Sequence, residues 1–590
     1  MTKTITVRYR TNENLPHPPF SARSFRDLSG GAAVAAILPP GFAEAVLPAE
    51  GATLAQAVYL SGLFAPPALC SGIGRCGLCR VRFLSEPPPA LDAEERVLSH
   101  HDIDAGWRLA CRHAPVPGAH VLVPALAVSR PPASVGVPLL PEDGSDFPPH
   151  PEEGGVSVAR KPGLFALAVD LGTTSVHWRL VPLDGNDGPD LPHGVMTNPQ
   201  MGAGSDVISR LAYAAREGGT RTLSRLAVDA LGVVAGSCAA AGYAVEETCI
   251  AANPAMTAIL LERETASLAR APYSLPLRGN TVEKLRDLPP VYIPPMISPF
   301  VGADLSAGYA ALALDPALAA PEYPFLLADM GTNGECVLAL SPTESLAASL
   351  PLGPALEGVY LAYGSEAVRG AVTDFTLTPY GLEPVVMGET APTGITATGY
   401  LALLRILRAS GVIGEDGLFT LDNRAPLAAK VGGGEAPEKL PGKSPGNLPG
   451  KPSGDERERS IRLPGKMLLY ASDVEEILKV KAAFTLAIAR LLGEAALPAA
   501  KLARIYLAGS LGANVSLAAL SSLGFLPPGT SGKVVLAGNT SLAGAALFLR
   551  DSAVRDRCAR WAASVAALDL AADSAFADSF ARHMVFSWRS

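Results

Sequence analysis

Charged residues are scarce in this chain, and positive charge is not in excess. Of 590 residues, 18% are charged, and 48 Lys and Arg stand against 56 Asp and Glu, for a net charge of −8. A nucleic-acid-binding face needs clustered Lys and Arg, which an acidic balance of this kind does not favour. The composition therefore predicts no nucleic-acid partner. The 48% of hydrophobic residues is ample material for buried cores.

Long apolar runs are missing as well. A membrane-spanning helix needs about 20 predominantly apolar residues, and no stretch of the chain is apolar without interruption over such a length. The first residues, MTKTITVRYRTNENL, alternate as a strand does and lack the apolar centre of a secretory signal. We therefore expect no membrane partner and a cytoplasmic protein.

Cysteine is sparse and unevenly placed. Four of the eight cysteines are scattered in apolar contexts, which is typical of reduced, buried thiols. They are Cys238, Cys249, Cys336 and Cys558. Three others fall within 70-CSGIGRCGLC-79. A structural zinc site normally needs a second Cys-x-x-Cys motif or a Cys/His pair, and no second such motif occurs in the chain.

The cysteine loop allows more than one chemistry. Three thiolates in a Gly-rich loop can converge on one soft or borderline metal, because glycine lets the backbone turn tightly. A thioredoxin-type pair of Cys76 and Cys79 would leave Cys70 unexplained. A [2Fe–2S] cluster needs four cysteines, and Cys111 in 107-WRLACRH-113 can be the distant fourth. Zinc and a redox dithiol stay open on the loop alone, but Cys111 favours the cluster.

The spacing of these cysteines resembles that of the β-grasp [2Fe–2S] ferredoxins, over roughly residues 45–125. Plant-type members have C-x4-C-x2-C, and the C-x5-C-x2-C found here is the variant of adrenodoxin-like ferredoxins. The resemblance implies a β-grasp domain that moves one electron. It also implies that Cys70, Cys76, Cys79 and Cys111 are the ligands of a [2Fe–2S] cluster.

The chain is too long for one core, and its composition divides it. Short β-like runs come first, and a Pro-rich passage that predicts a stiff linker follows them. Apolar runs, Gly-rich turns and Ala/Leu-rich windows then alternate, which predicts α/β structure. The predicted parts are the ferredoxin-like domain 1–128, the linker 129–162, a first lobe 163–320, a second lobe 321–550 with a low-complexity, disordered insertion 432–462, and a helical tail 551–590.

Two stretches share one pattern, in which an apolar strand, an Asp, a Gly-Thr turn and a second apolar strand follow each other. They are 165-FALAVDLGTTSVHWRLV-181 and 325-FLLADMGTNGECVLAL-340. Glycine lets backbone N–H groups approach phosphate oxygens, and the Asp at the strand end can hold hydrated Mg²⁺ or orient a water. The pattern predicts a nucleoside triphosphate site. Its candidate residues are the catalytic Asp170 and Asp329 and the cofactor-binding Gly172, Thr173, Thr174, Gly331, Thr332, Asn333 and Gly334.

A third Gly-rich turn, in 504-RIYLAGSLGANVSL-517, follows a predicted strand. Actin-like ATPases use one Asp turn from each of two related lobes, and this third turn resembles their adenosine-binding turn. The resemblance implies an α/β actin-like (ASKHA, RNase H-like) two-lobe ATPase whose cofactors are ATP and Mg²⁺. It implies Gly509 and Gly512 as further nucleotide-binding residues.

A [2Fe–2S] domain, a linker and an actin-like ATPase in one chain together resemble the ATP-dependent reductive activators of corrinoid proteins. The supporting phrases lie within residues 163–550, in the order of the family. They are 198-NPQMGAGSDVISRL-211, 293-IPPMISPFVGADLSAG-308, 351-PLGPALEGVYLAYGSEAVRGAV-372, 473-DVEEILKVKAAFTLAIARLL-492, 524-GFLP-527 and 538-GNTSLAGA-545. The resemblance implies one-electron reduction of Co(II) to Co(I) in the corrinoid protein of a methyltransferase system. It also implies an upstream low-potential electron donor and a homodimer.

The chain departs from the family at three places. Relatives read G-N-T-T-M, G-I-C-G-S-G and G-G-F-G where this chain has 252-ANPAM-256, 394-GITATG-399 and 508-AGSLG-512. These changes bear on the rate of ATP turnover and on the choice of partner rather than on the fold. None of the nine histidines follows the D-x-H-x-x-G pattern of histidine-ligated cobalamin carriers. We therefore expect a partner protein to carry the corrinoid.

Three other functions fit part of the pattern. A sugar or acid kinase with a ferredoxin appendage would leave the cluster idle. An ATP-driven electron donor for radical dehydratases would hold a [4Fe–4S] cluster through cysteines of the ATPase lobes, and Cys238, Cys249 and Cys336 lack the expected spacing. A nucleotide-binding redox-sensing scaffold would bind ATP without catalysis.

Overall fold

A computed structural model describes most of the chain. It covers residues 3–10, 42–49, 51–126, 163–183, 191–420, 460–509 and 515–589, apart from residues 65, 67–71, 73, 75, 76, 96, 359, 366 and 389. The predicted linker 129–162 lies outside the described residues. Contacts group the chain into two compact units. Unit 1 is Met1–Pro321, Pro342–Glu344 and Asn539–Ala567, and unit 2 is Glu322–Ser341, Ser345–Gly538 and Leu568–Ser590.

A five-stranded mixed sheet forms the first part of unit 1. Its elements are β1 (Thr4–Arg10), β2 (Phe42–Pro48), α1 (Leu54–Tyr59), β3 (Arg80–Phe83), α2 (Asp92–Glu95), α3 (His100–Asp104), β4 (Trp107–Leu109) and β5 (His120–Leu126). The strand order is β2-β1-β5-β3-β4, with β1 parallel to β5 and the other pairs antiparallel. Alternate strand residues share a face, and this places Ile5, Val7, Val121 and Val123 in the core with no exposed surface. The arrangement is that of a β-grasp domain.

A second, six-stranded sheet completes the core of unit 1. Its elements are β6 (Phe165–Leu171), β7 (Ser175–Pro182), β8 (His193–Thr197), α4 (Val207–Ala214), α5 (Gly219–Ala240), β9 (Val245–Ala251), α6 (Pro254–Leu260), α7 (Ala266–Ala269), β10 (Thr281–Glu283), β11 (Val291–Ile293) and α8 (Ala303–Ala313). The strand order is β10-β11-β9-β6-β7-β8, with β6 parallel to β9 and antiparallel to β7. A 3₁₀ helix, Pro199–Ala203, links β8 to α4.

Helix α5 is apolar along much of its length. Within the described part of the chain, α5 is the one helix whose length and composition would allow it to cross a membrane. Leu223, Leu231 and Val234 of this helix are buried in the core beside the second sheet. Core helices also pass such a test, so the predicted absence of a membrane partner and the predicted cytoplasmic location stay predictions.

Unit 2 is built on another sheet. Its elements up to residue 538 are β12 (Phe325–Met330), β13 (Asn333–Ser341), β14 (Glu344–Pro351), β15 (Ala371–Thr378), β16 (Gly381–Val386), β17 (Gly394–Ile395), α9 (Ala397–Ala409), β18 (Ser460–Arg462), β19 (Leu468–Tyr470), α10 (Ala471–Glu494), β20 (Arg504–Ala508), α11 (Leu517–Ser522) and β21 (Val534–Gly538). Strands β21, β20, β12, β13 and β14 are neighbours in that order, and β20 is parallel to both β12 and β21. The long helix α10 contributes Ile477, Phe484 and Leu491 to the core, all without exposed surface.

The C-terminal part of the chain divides between the units. In unit 1 lie α12 (Thr540–Arg550), α13 (Ser552–Ser564) and the short strand β22 (Ala566–Ala567), and in unit 2 lies α14 (Phe576–His583). Helix α12 crosses α8 at backbone distance, since a Cβ atom on Gly544 would lie 1.9 Å from the Ala307 carbonyl oxygen. This crossing places the beginning of α12 beside the end of β6.

The predicted boundaries stay predictions. They are continuous blocks, whereas the contact grouping is discontinuous and places residues 539–550 in unit 1. Within the predicted insertion 432–462, residues 432–459 lie outside the described part of the chain, and Ser460–Arg462 forms strand β18.

Candidate functional site

Two of the four predicted cluster ligands lie next to each other in the β-grasp sheet. Strands β3 and β4 pair with Arg80 opposite Leu109, and the Ala110 N–H donates to the Cys79 carbonyl at 3.0 Å. Cys79 therefore ends the loop beside the segment that carries Cys111. Both side chains are buried, with 1% and 9% of their surface exposed. Cys70 and Cys76 lie outside the described residues.

The described residues of the cysteine loop are held against the Cys111 segment. Arg112 Nη1 donates to the Gly72 carbonyl at 3.0 Å. Gly77 has φ +71°, and a Cβ atom there would lie 2.9 Å from Val97 Cγ1, so both backbone conformation and space favour glycine. Among the residues that the structure describes, no three metal-binding side chains meet. The four-cysteine ligand set therefore stays a prediction, and the two cysteines that can be placed agree with it.

A buried glutamate supports the segment that carries Cys111. Glu94 has no exposed surface, and its Oε1 accepts from the Leu109 N–H at 2.6 Å and contacts His113 Nε2 at 2.9 Å. Its Oε2 accepts from the Leu91 N–H at 2.9 Å. These bonds fix both sides of residue 111. Sequence reasoning missed Glu94, because an acidic residue in a short helix gives no local sign that it is buried.

The first Asp turn, residues 170–174, closes the hairpin between β6 and β7. A Cβ atom on Gly172 would lie 2.6 Å from the Ser175 carbonyl oxygen, so the turn leaves no room for a side chain there. The Asp170 carboxylate accepts hydrogen bonds from Asn539 Nδ2 at 2.8 Å and from Ser541 Oγ at 3.0 Å. Burial raises the pKa of Asp170, while His177 and these two hydrogen bonds act in the opposite direction.

Side chains from other segments brace the backbone of the first Asp turn. Asn198 Nδ2 donates to the Gly172 carbonyl at 2.7 Å, and Arg210 Nη2 donates to the Thr173 carbonyl. Asn253 Nδ2 lies 3.2 Å from Thr173 Oγ1. Sequence reasoning named Gly172, Thr173 and Thr174 but none of these supports. The available signal is the Asn-Pro dipeptide at 198–199 and again at 253–254, since Asn before a helical Pro is an N-cap pattern.

The second Asp turn, residues 329–334, closes the hairpin between β12 and β13. Asp329 stands opposite Glu335 in this antiparallel pair, and Glu335 is 4% exposed. Two carboxylates therefore lie at one position of the ladder. Glu335 is a candidate site residue that sequence reasoning missed. The available signal is its position, because in so short a hairpin a residue six positions after the Asp lies on the partner strand.

Backbone contacts hold the second Asp turn in place. The Gly331 N–H donates to the Asn333 carbonyl at 3.2 Å, and the Thr332 carbonyl accepts from the amides of Leu352 and Gly353 at 3.1 and 3.0 Å. A Cβ atom on Gly334 would lie 2.7 Å from Leu352 Cδ2. The small residues of the turn are thus required for it to pack against the end of β14.

The third predicted turn lies beside the second Asp turn within unit 2. Asp329 pairs with Ala508 in the parallel ladder of β12 and β20, and Gly509 follows directly with φ +88°. A Cβ atom on Gly509 would lie 2.6 Å from Asp329 Oδ1. The structure therefore brings Gly509 into contact with the predicted catalytic carboxylate. Gly512 lies outside the described residues.

The remaining cysteines are interior residues. Each is fully buried on a helix or strand, and burial raises the pKa of Cys238 to about 11 and those of the other three still further above the ordinary thiol range. These three are Cys249, Cys336 and Cys558. These four thiols are buried, as the sequence predicts.

At the departure 394-GITATG-399, Thr396 is the N-cap of α9, and its Oγ1 accepts from the Gly399 N–H at 3.2 Å. A Cβ atom on Gly399 would lie 2.4 Å from the Val372 carbonyl oxygen. The two outer glycines are therefore structural, and the residue that replaces the family cysteine, Thr396, caps a helix.

Known proteins share this combination of parts. The family profile of the 2Fe-2S iron-sulfur cluster binding domain matches residues 42–116. The profile of the RACo middle region matches residues 165–317, and that of the C-terminal domain of RACo, the ASKHA domain, matches residues 324–439 and 454–589.

Two relatives are similar over most of their length. The corrinoid activation enzyme RamQ of Eubacterium limosum is 26% identical over 441 residues, which are 72% of this chain and 70% of that protein. The solved structure of a reductive activator for corrinoid, iron-sulfur protein has a TM-score of 0.59 and 20% identity, covering 98% of both chains. At that identity the structural likeness shows a common fold.

Fold and profiles define a class, a [2Fe–2S] ferredoxin-type domain joined to an ASKHA ATPase region. Within that class, the chain belongs to the RACo family. The predicted fold class, the predicted resemblance and the predicted cofactors, a [2Fe–2S] cluster and ATP with its usual Mg²⁺, are confirmed at this level. The individual site residues stay predictions.

Proposed function

We propose that the protein is an ATP-dependent one-electron reductase that reactivates a corrinoid methyl-carrier protein. A bound [2Fe–2S] cluster would supply the one electron that converts Co(II) to Co(I), and a low-potential donor would replace that electron. The observation that carries the proposal is that one chain joins a β-grasp sheet, with Cys79 and Cys111 buried on neighbouring backbone segments, to a RACo-type ASKHA region. The names of the two relatives, which refer to corrinoid activation, agree with it.

In this proposal Cys70, Cys76, Cys79 and Cys111 hold the cluster, which supplies one-electron chemistry when bound. The residues of the chain do the rest. Glu94 keeps the Cys111 segment in place through the Leu109 amide and His113. The buried position of Cys79 and Cys111 would limit the access of water to the cluster, and solvent access is one determinant of a cluster's reduction potential.

The two Asp turns and the Gly509 turn are proposed to bind Mg²⁺ and ATP. Residues 172–174 and 332–334 lie in tight hairpins, and peptide N–H groups in such turns suit phosphate oxygens. The paired carboxylates of Asp329 and Glu335 suit a divalent cation, because a positive ion removes their mutual repulsion. Gly509, and by resemblance Gly512, are proposed to contact the nucleoside, since neither position carries a side chain.

ATP is needed because the transfer is uphill. Co(II)/Co(I) couples lie below the reach of an ordinary ferredoxin. For one electron, about 59 mV corresponds to about 1.4 kcal/mol, so a gap of a few hundred millivolts costs several kcal/mol. ATP binding or hydrolysis can offset this cost only by favouring a conformation in which the transfer is easier.

The proposal includes partners. A corrinoid protein of a methyltransferase system is the acceptor, a low-potential donor reduces the cluster, and the active form is a homodimer in the cytoplasm. The corrinoid belongs to the partner, since the histidines of this chain lack the cobalamin-ligand pattern.

The test compares the full-length protein with Cys79→Ser. The variant should lose cluster iron, visible absorption and the EPR signal of the reduced [2Fe–2S] state, and with them ATP-dependent formation of Co(I) on a purified Co(II) corrinoid protein. ATP binding should persist. Cys238→Ala, which removes a buried thiol from α5, is the control and should retain cluster and activity. Unchanged Co(I) formation in Cys79→Ser would contradict the proposal.

A further inference from the structure

The β-grasp domain rests on a short segment that also contacts the first Asp turn. This segment, the 3₁₀ helix Pro199–Ala203, is here called the docking turn. A Cβ atom on Gly202 would lie 2.9 Å from Tyr59 Cβ and 3.1 Å from Leu60 Cδ2, so helix α1 packs against the docking turn without a gap. Tyr59 and Leu60 are 2% and 7% exposed.

The contact extends beyond the docking turn. Leu60 packs into the hydrophobic core of the second sheet of unit 1. A Cβ atom on Gly62 would lie 3.5 Å from Leu226 Cδ2, and at the solvent edge Arg216 Nη1 donates to Gln56 Oε1 at 3.0 Å. The interface therefore has an apolar centre with a polar rim, the usual anatomy of a specific contact.

On its other side the docking turn is tied to the first Asp turn. Asn198, which precedes it, donates from Nδ2 to the Gly172 carbonyl and from its backbone N–H to the Thr174 carbonyl, both at 2.7 Å. Its Oδ1 accepts from the Gln200 N–H at 2.9 Å. One buried side chain thus bonds to both turns.

Arg210 makes a second tie. It has no exposed surface, and its guanidinium donates to the Thr173 carbonyl, to the Gly204 carbonyl at 3.0 Å and to Gln200 Oε1 at 3.3 Å. The planar, multiply donating group of Arg holds these acceptors in a fixed relation, which Lys cannot do.

We propose that Asn198 and Arg210 are positioning residues that couple a nucleotide at the first Asp turn to the docking of the ferredoxin domain, through the docking turn. The carbonyls of Gly172 and Thr173 belong to the same planar peptide groups as the N–H groups of Thr173 and Thr174. A phosphate that fixes these N–H groups fixes the carbonyls as well, and with them Asn198, Arg210 and the surface on which α1 rests.

The coupling is reciprocal, because a ligand that favours the docked arrangement binds more weakly when docking is loosened. It rests on the proposed function in one respect, that the first Asp turn is part of the nucleotide site. Through this coupling, ATP sets how firmly the ferredoxin domain, which carries the cluster, is held within unit 1.

The test uses the full-length protein and the non-hydrolysable analogue AMP-PNP. Hydrogen–deuterium exchange reports on the amides of Leu54–Tyr59, and calorimetry reports the AMP-PNP affinity. In the wild type, AMP-PNP should slow exchange in α1. Gly202→Ala, whose Cβ would clash with Tyr59, should speed amide exchange in α1 and weaken the binding of AMP-PNP about five-fold or more. Gly236→Ala on α5, where a Cβ meets nothing within 4 Å, is the matched control and should change neither.

Two further variants keep the test decisive. The Arg210→Lys variant should still bind AMP-PNP, but AMP-PNP should no longer slow amide exchange in α1. If Gly202→Ala does not fold, Gln56→Ala removes the bond from Arg216 at the exposed rim, together with a bond from the Ala52 N–H, and should shift both readouts in the same direction by a smaller factor.

The outcomes separate the two proposals. Faster exchange in Gly202→Ala with the AMP-PNP affinity of the control overturns the coupling, as does a wild type in which AMP-PNP leaves α1 unchanged while ATP-dependent reduction persists. A wild type that does not bind AMP-PNP at all overturns the proposed function together with the coupling.

Discussion

The two Asp turns share a sequence pattern, but different residues face the Asp across each hairpin. Asp170 stands opposite His177, whereas Asp329 stands opposite Glu335. Directly opposed residues on antiparallel strands have Cβ atoms about 4.5–5.5 Å apart, so opposite charges stabilise and like charges destabilise the pair. Asn539 and Ser541 also donate to Asp170.

This difference predicts a different role for each of the two turns. At the first Asp turn Asn539 and Ser541 donate to the carboxylate, and side chains such as Asn198 hold the backbone. At the second Asp turn two acidic side chains occupy one position, a local conflict of the kind that proteins retain at functional sites. We therefore expect the cation requirement to belong to the second turn and the mechanical coupling to the first.

The largest expected effect comes from removing one charge of the acidic pair. Asp329→Asn should lower ATP hydrolysis about 100-fold or more, because the cation and the attacking water lose their carboxylate. Its folding stability should fall less than that of Asp170→Asn, since relief of the repulsion from Glu335 offsets part of the loss. Asp170→Asn should instead cost about 1–3 kcal/mol of stability, because an amide cannot accept both bonds from Asn539 and Ser541.

Steady-state ATPase assays and urea unfolding measure these two quantities. A variant Asp329→Asn that hydrolyses ATP at the wild-type rate, or one less stable than Asp170→Asn, would reverse the assignment of the turns.

A second prediction concerns the space beside Asp329. Gly509→Ala should weaken ATP binding about ten-fold or more, because its Cβ would lie 2.6 Å from Asp329 Oδ1 and displace that carboxylate. Gly529→Ala is the matched control in unit 2, since Gly529 has φ +76° but a Cβ atom there would meet nothing within 4 Å. Both variants should lose about 1 kcal/mol of stability from the positive φ, and equal ATP affinity in the two would contradict the prediction.

A third prediction concerns the bracing of the first turn. Asn198→Ala should destabilise unit 1 by about 2 kcal/mol, since it leaves the buried Gly172 carbonyl without this donor and the Gln200 amide without its acceptor. Urea unfolding followed by near-UV circular dichroism measures the loss. Thr222→Ala, which removes a hydroxyl bonded to Gly218 at an exposed position, is the control and should cost less than about 1 kcal/mol.

The smallest effect is an acid sensitivity confined to unit 2. His583 is buried, with Nδ1 at 2.9 Å from Thr485 Oγ1. Burial, together with Lys481, Arg582 and Arg589, lowers the pKa of His583 to about 4, from an ordinary value near 6.5. A lowered histidine pKa contributes stability that is fully present above pH 6.5 and is lost as the pH falls from 6.5 towards 4, because the unfolded chain takes up the proton first.

His583→Gln removes this titration while an amide can still bond to Thr485. Its melting temperature should therefore fall less steeply than that of the wild type between pH 6.5 and 4. Parallel curves for the two proteins would show that His583 does not contribute to the acid sensitivity.

Local patterns were enough to predict much of this protein. The Gly-rich loop that ends at Cys79, the strand before each Asp turn and the glycine after β20 are all properties of short segments, because hairpins and tight turns depend on a few neighbouring residues. The family resemblance depended on the same segments, and the profiles confirmed it. Where the structure describes a candidate site residue, that residue lies at the strand end or turn that its local sequence predicts.

The partners of those residues could not be predicted from any short segment. Asn539 lies 369 positions from Asp170 in the chain, and Glu94 gives no local sign of its burial beneath Cys111. Gly202 and Arg210 acquire their roles only because α1 and the first Asp turn pack on opposite sides of one 3₁₀ helix.

By itself, then, the sequence determined which backbone segments turn and which family the chain resembles, and it predicted which thiols hold a metal cluster. Only the tertiary structure decided that Asp170 accepts bonds from Asn539 and Ser541, that Glu94 is buried beside the Cys111 segment and that the ferredoxin domain rests on a segment tied to the first Asp turn. The physical reason is that turns and strands are set by local sterics, whereas burial and charge pairing depend on contacts between segments far apart in the chain.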